Sequence, residues 1–149
     1  TAPMFEISII AYLLNTQYEV CIVTDNLSSI KTAEGVFIKS NLYLNEMNVD
    51  EFDSLIICGG EYSKYNNDCI FECINEFRNK NKLIAGICSG RNLINSALKE
   101  NYTVEYVYNN IIFSSPNKYA MFGITVGKHF EIYEDEDDYN ETVEFFVSK

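Results

Sequence analysis

Apolar positions along the chain follow two spacings, one typical of helices and one typical of buried strands. In residues 5–16 the apolar side chains recur every three to four positions, as on one face of an α-helix. In residues 82–88 the run KLIAGIC is almost entirely apolar, which is typical of a strand buried on both faces. The pattern predicts strands at residues 18–25, 52–60, 82–88, 102–108 and 110–115, a hairpin at 28–40, and helices at 5–16, 69–80, 89–100, 116–133 and 139–149.

The order of these elements predicts the fold class. From residue 52 onwards strands alternate with helices, and the central strands are continuously apolar. This order is typical of an α/β protein whose mostly parallel sheet is covered by helices on both faces. With 149 residues the chain is long enough for one domain with its own core. The sequence opens directly with a helix, and we expect the strand that usually precedes it to lie outside this sequence or to come from elsewhere.

Composition argues against several classes of partner. The net charge is −11 and the 11 basic residues are scattered, which argues against nucleic acid and against an acidic membrane surface. There is no apolar run as long as a membrane span and no recognisable signal peptide, which favours a cytoplasmic protein. The five cysteines form no even framework, so we expect reduced thiols. With one histidine and no CxxC pair, we expect neither a metal site nor a cofactor.

The stretch Gly86-Ile87-Cys88-Ser89-Gly90 joins a predicted strand to a predicted helix. A nucleophile with a glycine two positions before it and another two positions after it is the pattern of a nucleophile elbow, a turn so tight that flanking side chains would clash. The turn places the cysteine at a helix N-terminus, where unpaired N–H groups and the helix dipole favour the thiolate, so we expect a lowered thiol pKa. The alternative is that Cys88 is a small buried hydrophobic residue in a tight turn.

A second glycine motif, Gly59-Gly60, ends the preceding predicted strand. Its backbone N–H groups can face a ligand at the same sheet edge, and together with the N–H of Ser89 they would form an oxyanion hole. A plain tight turn explains the same two residues. Cys58, directly before them, is either a second redox thiol, even a disulfide partner for Cys88, or a packing residue, which its position at the end of a buried strand favours.

These stretches resemble the DJ-1/PfpI (ThiJ/PfpI) family, relatives of the class I glutamine amidotransferases. In that family a strand ending in a double glycine, here FDSLIICGG, precedes the elbow cysteine, here in KLIAGICSG, at similar spacing. NNIIFSSPNKYAMFGITVGKHFEIY resembles the C-terminal part of the family, and FEISIIAYLL resembles its first helix. The resemblance implies a single domain over residues 1–149, a flavodoxin-like three-layer sandwich that lacks the usual first strand, and a homodimer.

The resemblance also implies roles for individual residues. Cys88 corresponds to the reactive cysteine, Glu6 to a glutamate whose carboxyl hydrogen-bonds the sulfur, and Gly60 and Ser89 to backbone donors beside it. A buried, protonated Glu6 would stabilise a thiolate or an oxidised sulfur by donating to it. From the sequence alone, Glu6 fits equally well at an exposed position in the first helical turn, where carboxylates are favoured.

Hydrolytic members of the family carry a histidine beside the cysteine or further along, and this chain departs from that pattern. Ser89 follows Cys88, and the single histidine, His129, lies in a late predicted helix, where we expect it at the surface near the helix end. Peptidase chemistry, which needs a Cys-His pair, is therefore not expected.

Two functions remain, with a small-molecule substrate or an oxidant as the partner. In the first, the protein is an enzyme in which Cys88 adds to small reactive aldehydes or other carbonyl substrates, as in glyoxalases and deglycases. In the second, Cys88 is oxidised in a redox or stress response without turnover. A degenerate family member kept as a binding module is a third reading of the same residues.

Residues 131–141, EIYEDEDDYNE, are strongly acidic. The stretch lacks the alternating oxygen ligands and the central glycine of a calcium-binding loop. We expect a solvated connector before the last helix, as for most blocks of like charge.

Overall fold

A computed structural model describes residues 2–64 and 66–147. The helices are α1 Phe5–Leu14, α2 Asp68–Asn79, α3 Ser89–Leu98, α4 Tyr119–His129 and α5 Glu136–Val147. The strands are β1 Val23–Thr24, β2 Ser29–Lys31, β3 Phe37–Lys39, β4 Leu42–Tyr43, β5 Ser54–Ile57, β6 Leu83–Ile87, β7 Tyr106–Tyr108 and β8 Ile111–Ser114. Short 3-10 turns lie at Leu44–Glu46, Val49–Glu51, Tyr62–Lys64 and Pro116–Lys118. Every strand and helix predicted from residue 52 onwards is present.

The main sheet has the strand order β5-β6-β8-β7. β5, β6 and β8 run parallel, and β7 is an antiparallel edge strand joined to β8 through the predicted turn at Asn109-Asn110. The carboxyl ends of three parallel strands therefore meet at one edge, and this is where an open α/β sheet binds ligands. Cys58 follows β5 and Cys88 follows β6 at that edge.

Two apolar layers cover the sheet, and β6 shows why. Alternate residues of a strand point to opposite faces, so Leu83, Ala85 and Ile87 pack against α1 and α4, while Ile84 packs against α2 and α3. Because β6 is buried on both faces, it reads as a continuous apolar run. The predicted three-layer α/β sandwich with a mostly parallel sheet is confirmed.

The segment between α1 and β5 differs in part from the prediction. The strand predicted at residues 18–25 is reduced to β1, which pairs in parallel with β4. Ile22, just before β1, has its N–H bound by the Asn41 side chain (2.8 Å), so a side chain replaces a ladder partner. The predicted hairpin is present as β2 and β3, which are antiparallel.

The C-terminal helices also differ from the prediction at their bounds. α4 ends at His129 instead of residue 133, because Glu131 takes a left-handed backbone conformation (φ 53°). α5 begins inside the acidic stretch, not after it, and the Asp135 side chain accepts the N–H of Asp138 (2.9 Å). The acidic residues thus form the first turn of a helix, where carboxylates are favoured, and are not only a connector. In the described ranges no helix is long and apolar enough to span a membrane.

Candidate functional site

Cys88 occupies a single-residue turn between β6 and α3. Its backbone has φ 57° and ψ −129°, in a region that residues with a side chain rarely adopt. Its N–H still donates to the Ser114 carbonyl of β8 (3.2 Å), so the cysteine is held as an extension of the sheet. Strained backbone at the end of a strand is common at functional sites and is the geometry of a nucleophile elbow.

The two glycines of the elbow permit close packing around this turn. A Cβ on Gly90 would collide with the Ile57 carbonyl oxygen at the end of β5, and a Cβ on Gly86 would lie 2.5 Å from Ile94 Cδ1 on α3. In both cases the added Cβ would lie well inside van der Waals contact with its neighbour. The first turn of α3 can lie against the end of β5 because Gly90 has no side chain, and α3 can lie against β6 because Gly86 has none.

Glu6 reaches this turn from α1 and is 2% exposed. It heads the buried face of the helix, followed by Ile10, Leu13 and Leu14. Its Oε2 accepts the Gly59 N–H (2.6 Å), and its carboxylate accepts a hydrogen bond from the Cys88 thiol. The exposed alternative for Glu6 is therefore wrong.

Gly59 makes room for this contact. A Cβ on Gly59 would lie 2.9 Å from Glu6 Oε2 and 3.1 Å from Cys88 Sγ. Carboxylate and sulfur thus lie on one side of the glycine, and any side chain there would push between them.

α1 is anchored by Glu34 in the turn of the β2-β3 hairpin. The Glu34 carboxylate accepts the N–H groups of Met4 (3.0 Å) and Phe5 (3.2 Å) at the start of α1. These hydrogen bonds lower the pKa of Glu34 to about 2. The contact ties the start of α1 to the hairpin.

Ser89 and Gly60 are bonded to each other. The Ser89 hydroxyl accepts the Gly60 N–H (2.8 Å) and donates to the Gly60 carbonyl (2.8 Å). The prediction treated Gly60 N–H as a free oxyanion donor, and the structure assigns it to the serine side chain instead. Since Gly59 N–H is bound by Glu6, neither N–H of the glycine pair is free for a ligand.

The pKa of the Cys88 thiol is raised, contrary to the expected lowering. Burial is the main cause, and the charge of Glu6 and its hydrogen bond act in the same direction. The Ser89 N–H and the charge of Arg91, whose Nε donates to the Cys88 carbonyl (3.0 Å), act against it. The N-terminus of α3 does favour the thiolate, but burial of the sulfur, reinforced by the Glu6 carboxylate beside it, outweighs this effect.

Cys58 and Tyr62 complete the surroundings of Cys88. Burial, together with the charges of Glu6 and Cys88, raises the pKa of Cys58 to about 11. The Tyr62 hydroxyl donates to the Cys58 carbonyl (2.5 Å), and burial raises the pKa of that tyrosine as well. Sequence reasoning did not select Tyr62, although its position just after the glycine pair was a signal.

A comparison with family profiles finds that residues 4–108 match the DJ-1/PfpI family. The chain belongs to the DJ-1/PfpI family. The matched range includes Glu6, the glycine pair and the elbow, so the predicted resemblance is confirmed at the level of the family. No curated protein matches the chain at a significant level.

Solved structures of other DJ-1/PfpI proteins show the same fold. A thiJ/pfpI family protein of Bacillus anthracis has a TM-score of 0.83 at 17% identity, covering 100% of this chain and 87% of that chain. DJ-1beta of Drosophila melanogaster has a TM-score of 0.78 at 16% identity, covering 99% and 93%. DJ-1 of Toxoplasma gondii, described as oxidized, has a TM-score of 0.72 at 17% identity, covering 95% and 90%.

His129 lies far from the elbow of this DJ-1/PfpI protein. α4 starts after β8 at the carboxyl edge of the sheet and runs back for 11 residues, so its last residue lies roughly 16 Å away along the helix axis. His129 is exposed there, as expected. Within residues 2–64 and 66–147, no cluster of three or more His, Cys, Asp or Glu side chains is arranged to hold a metal ion.

Proposed function

We propose that this DJ-1/PfpI protein is a thiol redox protein in which hydroperoxides oxidise Cys88 and Glu6 moves the proton. One observation carries the proposal: a buried carboxylate accepts the hydrogen bond of the elbow thiol and is held in place by the Gly59 N–H. Glu6 thus takes the position of a base that the missing histidine would otherwise fill.

The chemistry balances with these two side chains and the peroxide. As Sγ attacks one oxygen of ROOH, the thiol proton passes to the Glu6 carboxylate and the O–O bond breaks. The protonated carboxyl then returns the proton to the departing alkoxide. The products are a sulfenic acid on Cys88 and ROH, with the sulfur oxidised by two electrons and the peroxide reduced by two.

The same geometry supports carbonyl chemistry less well. A tetrahedral adduct of an aldehyde needs donors aimed at its developing oxyanion. The Gly59 N–H is bound by Glu6 and the Gly60 N–H by the Ser89 hydroxyl. Of the three predicted oxyanion donors this leaves the Ser89 N–H, which is already directed at the sulfur. Aldehyde turnover remains the alternative that the family resemblance implies. The oxidized Toxoplasma gondii DJ-1 lends support to the redox reading.

The test compares Cys88 with Cys69, an exposed thiol in the same molecule. The reduced protein is treated with limiting hydrogen peroxide at neutral pH, sulfenic acid is trapped with dimedone, and the oxidation of each cysteine, as a dimedone adduct or as a disulfide, is read by peptide mass. We expect Cys88 to be oxidised at least about tenfold faster than Cys69, which is less than the rate enhancement of roughly 100-fold or more that a positioned acid–base group usually contributes.

Thiolate abundance alone would slow the oxidation of Cys88, because its pKa is raised. Oxidation of Cys88 at or below the rate of Cys69 would therefore sink the proposal. Consumption of methylglyoxal that is lost in Cys88→Ala, without peroxide reactivity, would establish the aldehyde alternative instead.

A further inference from the structure

Cys58 and Cys88 end two neighbouring parallel strands. Ile57 pairs with Gly86, so Cys58 lies one residue past that pair and Cys88 two residues past it. With strands about 4.8 Å apart and a rise of about 3.3 Å per residue, their Cα atoms are about 6 Å apart. Disulfides span Cα separations of about 4.4–6.8 Å.

The two side chains also lie on the same side of the sheet. Both pack against the apolar layer beneath α1 and α4. In a regular strand Cys88 would alternate with Ile87 and face the other layer, and its left-handed backbone turns it towards Glu6 and Gly59 instead. The charge of Cys88 is among the causes that raise the pKa of Cys58, which agrees with this proximity.

The other cysteines are placed differently. Cys69 and Cys73 lie on α2, which covers the opposite face of the sheet, and Cys21 precedes β1. Cys58 is thus the cysteine that the fold brings next to the elbow.

We propose that Cys58 is the resolving thiol of this protein, trapping oxidised Cys88 as an intramolecular Cys58–Cys88 disulfide. The inference rests on the proposed function, which supplies the sulfenic acid through a hydroperoxide. Cys58 Sγ attacks Cys88 Sγ, the S–O bond breaks, and the Cys58 proton leaves with the hydroxyl as water. The two thiols together have then lost two electrons to one peroxide, and a thiol reductant restores them.

Glu6 also explains how a thiol with a pKa of about 11 can react. Its charge is among the causes that raise the pKa of Cys58, so the carboxylate lies near both thiols and can relay the Cys58 proton to the departing hydroxyl as the S–S bond forms. Cys58 is partly buried and its pKa is raised, so we expect it to react with the neighbouring sulfenic acid before it reacts with oxidants in solution.

The test treats wild type, Cys58→Ser and Cys69→Ser with about one equivalent of hydrogen peroxide, followed by thiol blocking and peptide mapping without reduction. Serine at 58 keeps the carbonyl that Tyr62 binds. We expect the mass of wild type and of Cys69→Ser to fall by that of two hydrogens. Peptide mapping should then yield one linked pair of peptides, which contains Cys58 and Cys88. Cys58→Ser should accumulate dimedone-reactive Cys88 and reach sulfinic acid at least about tenfold faster under excess peroxide.

Each outcome decides a separate claim. If Cys88 of wild type reaches sulfinic acid without a linked peptide, and as fast as in Cys58→Ser, the resolving role is overturned while the oxidation of Cys88 stands. A link from Cys88 to any other cysteine overturns it too. If Cys88 is not oxidised in any variant, the proposed function fails first. The linked peptide is read in wild type, so the result holds even if Cys58→Ser folds poorly.

Discussion

Replacing Glu6 by glutamine should change two reactivities of Cys88 in opposite directions. Glutamine has nearly the same shape and its carbonyl can still accept the Gly59 N–H, so the structure around α1 should persist. The substitution removes the buried negative charge beside the sulfur, which favours the thiolate. It also removes the group that accepts and returns the proton, which disfavours the reaction with peroxide.

The size of the electrostatic part follows from the distance between the two groups. A Cβ placed on Gly59 would lie 2.9 Å from Glu6 Oε2 and 3.1 Å from Cys88 Sγ. The two atoms are therefore at most about 6 Å apart, which corresponds to roughly 3 kcal/mol at an effective dielectric constant of about 20 and less where water screens the sulfur. Because an energy of about 1.4 kcal/mol moves a pKa by one pH unit, an interaction of this size is large enough to detect, and we expect the pKa of Cys88 to fall in Glu6→Gln.

Two assays measure the two effects. Iodoacetamide needs only a thiolate, because iodide leaves without a proton, so its rate at neutral pH should rise and its inflection should move to lower pH. Hydrogen peroxide needs a proton on the departing oxygen, so its rate with Cys88 should fall at least about tenfold despite the larger thiolate fraction. Both rates are read at the Cys88 peptide.

Glu34→Gln is the matched control, because it also removes a carboxylate that contacts α1, but at the hairpin and not beside the sulfur. It should leave the Cys88 inflection unchanged. If Glu6→Gln raises both rates together, the carboxylate acts on the sulfur only through its charge, and the proposed proton transfer is refuted. If the inflection does not move, the carboxylate and the sulfur do not interact as the structure has them.

Three further predictions concern the frame of the site. Ser89→Ala should lower the free energy of unfolding by about 1–3 kcal/mol in urea, because it leaves the Gly60 N–H and carbonyl without their partner. Gly90→Ala should cost about 3 kcal/mol or more by the same measurement, since its Cβ meets the β5 backbone, whereas the matched Gly35→Ala, in open space at φ 88°, should cost only about 1–2 kcal/mol. Glu34, whose pKa is lowered, stabilises the fold above its unfolded pKa of about 4.3 and loses that contribution as pH falls towards about 2. Melting temperatures followed from neutral to acid pH should therefore fall less steeply in Glu34→Gln than in wild type.

The parts of the fold that could be predicted are those encoded by neighbouring residues. The run KLIAGIC is apolar at every position but the first because β6 is covered on both faces, and that burial is visible without knowing what covers it. Gly86 and Gly90 predicted a tight turn, because the turn is possible only where these two positions carry no side chain. The strand predicted at residues 18–25 is present only in part, because its hydrogen bonding depends on a distant residue. The N–H of Ile22 is bound by the side chain of Asn41, and no local pattern reveals that contact.

The chemistry of the site depends on contacts between distant segments and was predicted less well. The position of Glu6 at the head of the stripe Ile10, Leu13 and Leu14 was a local sign of burial, but its contact with Cys88 needs the packing of α1 over the sheet. The pKa of Cys88 is raised and not lowered, first because the thiol is buried and then because Glu6 lies beside it. A helix N-terminus is a local feature, whereas the burial of the sulfur and the position of the carboxylate both depend on how distant segments pack.

The hydrogen bonds already made by the backbone N–H groups beside Cys88 bear on the kind of reaction that the site supports. Ser89 was predicted as a donor through its N–H, but its hydroxyl also occupies the Gly60 N–H, and Glu6 occupies the Gly59 N–H. Side chains of the protein thus fill the hydrogen bonds that an oxyanion would need, and a carbonyl adduct would have to break one of them. A peroxide requires no such hole, because its charge develops on a departing oxygen that one proton neutralises. What this site does supply is a carboxylate beside a thiol, and that pair suits a reaction in which sulfur gains an oxygen while a carboxyl returns a proton.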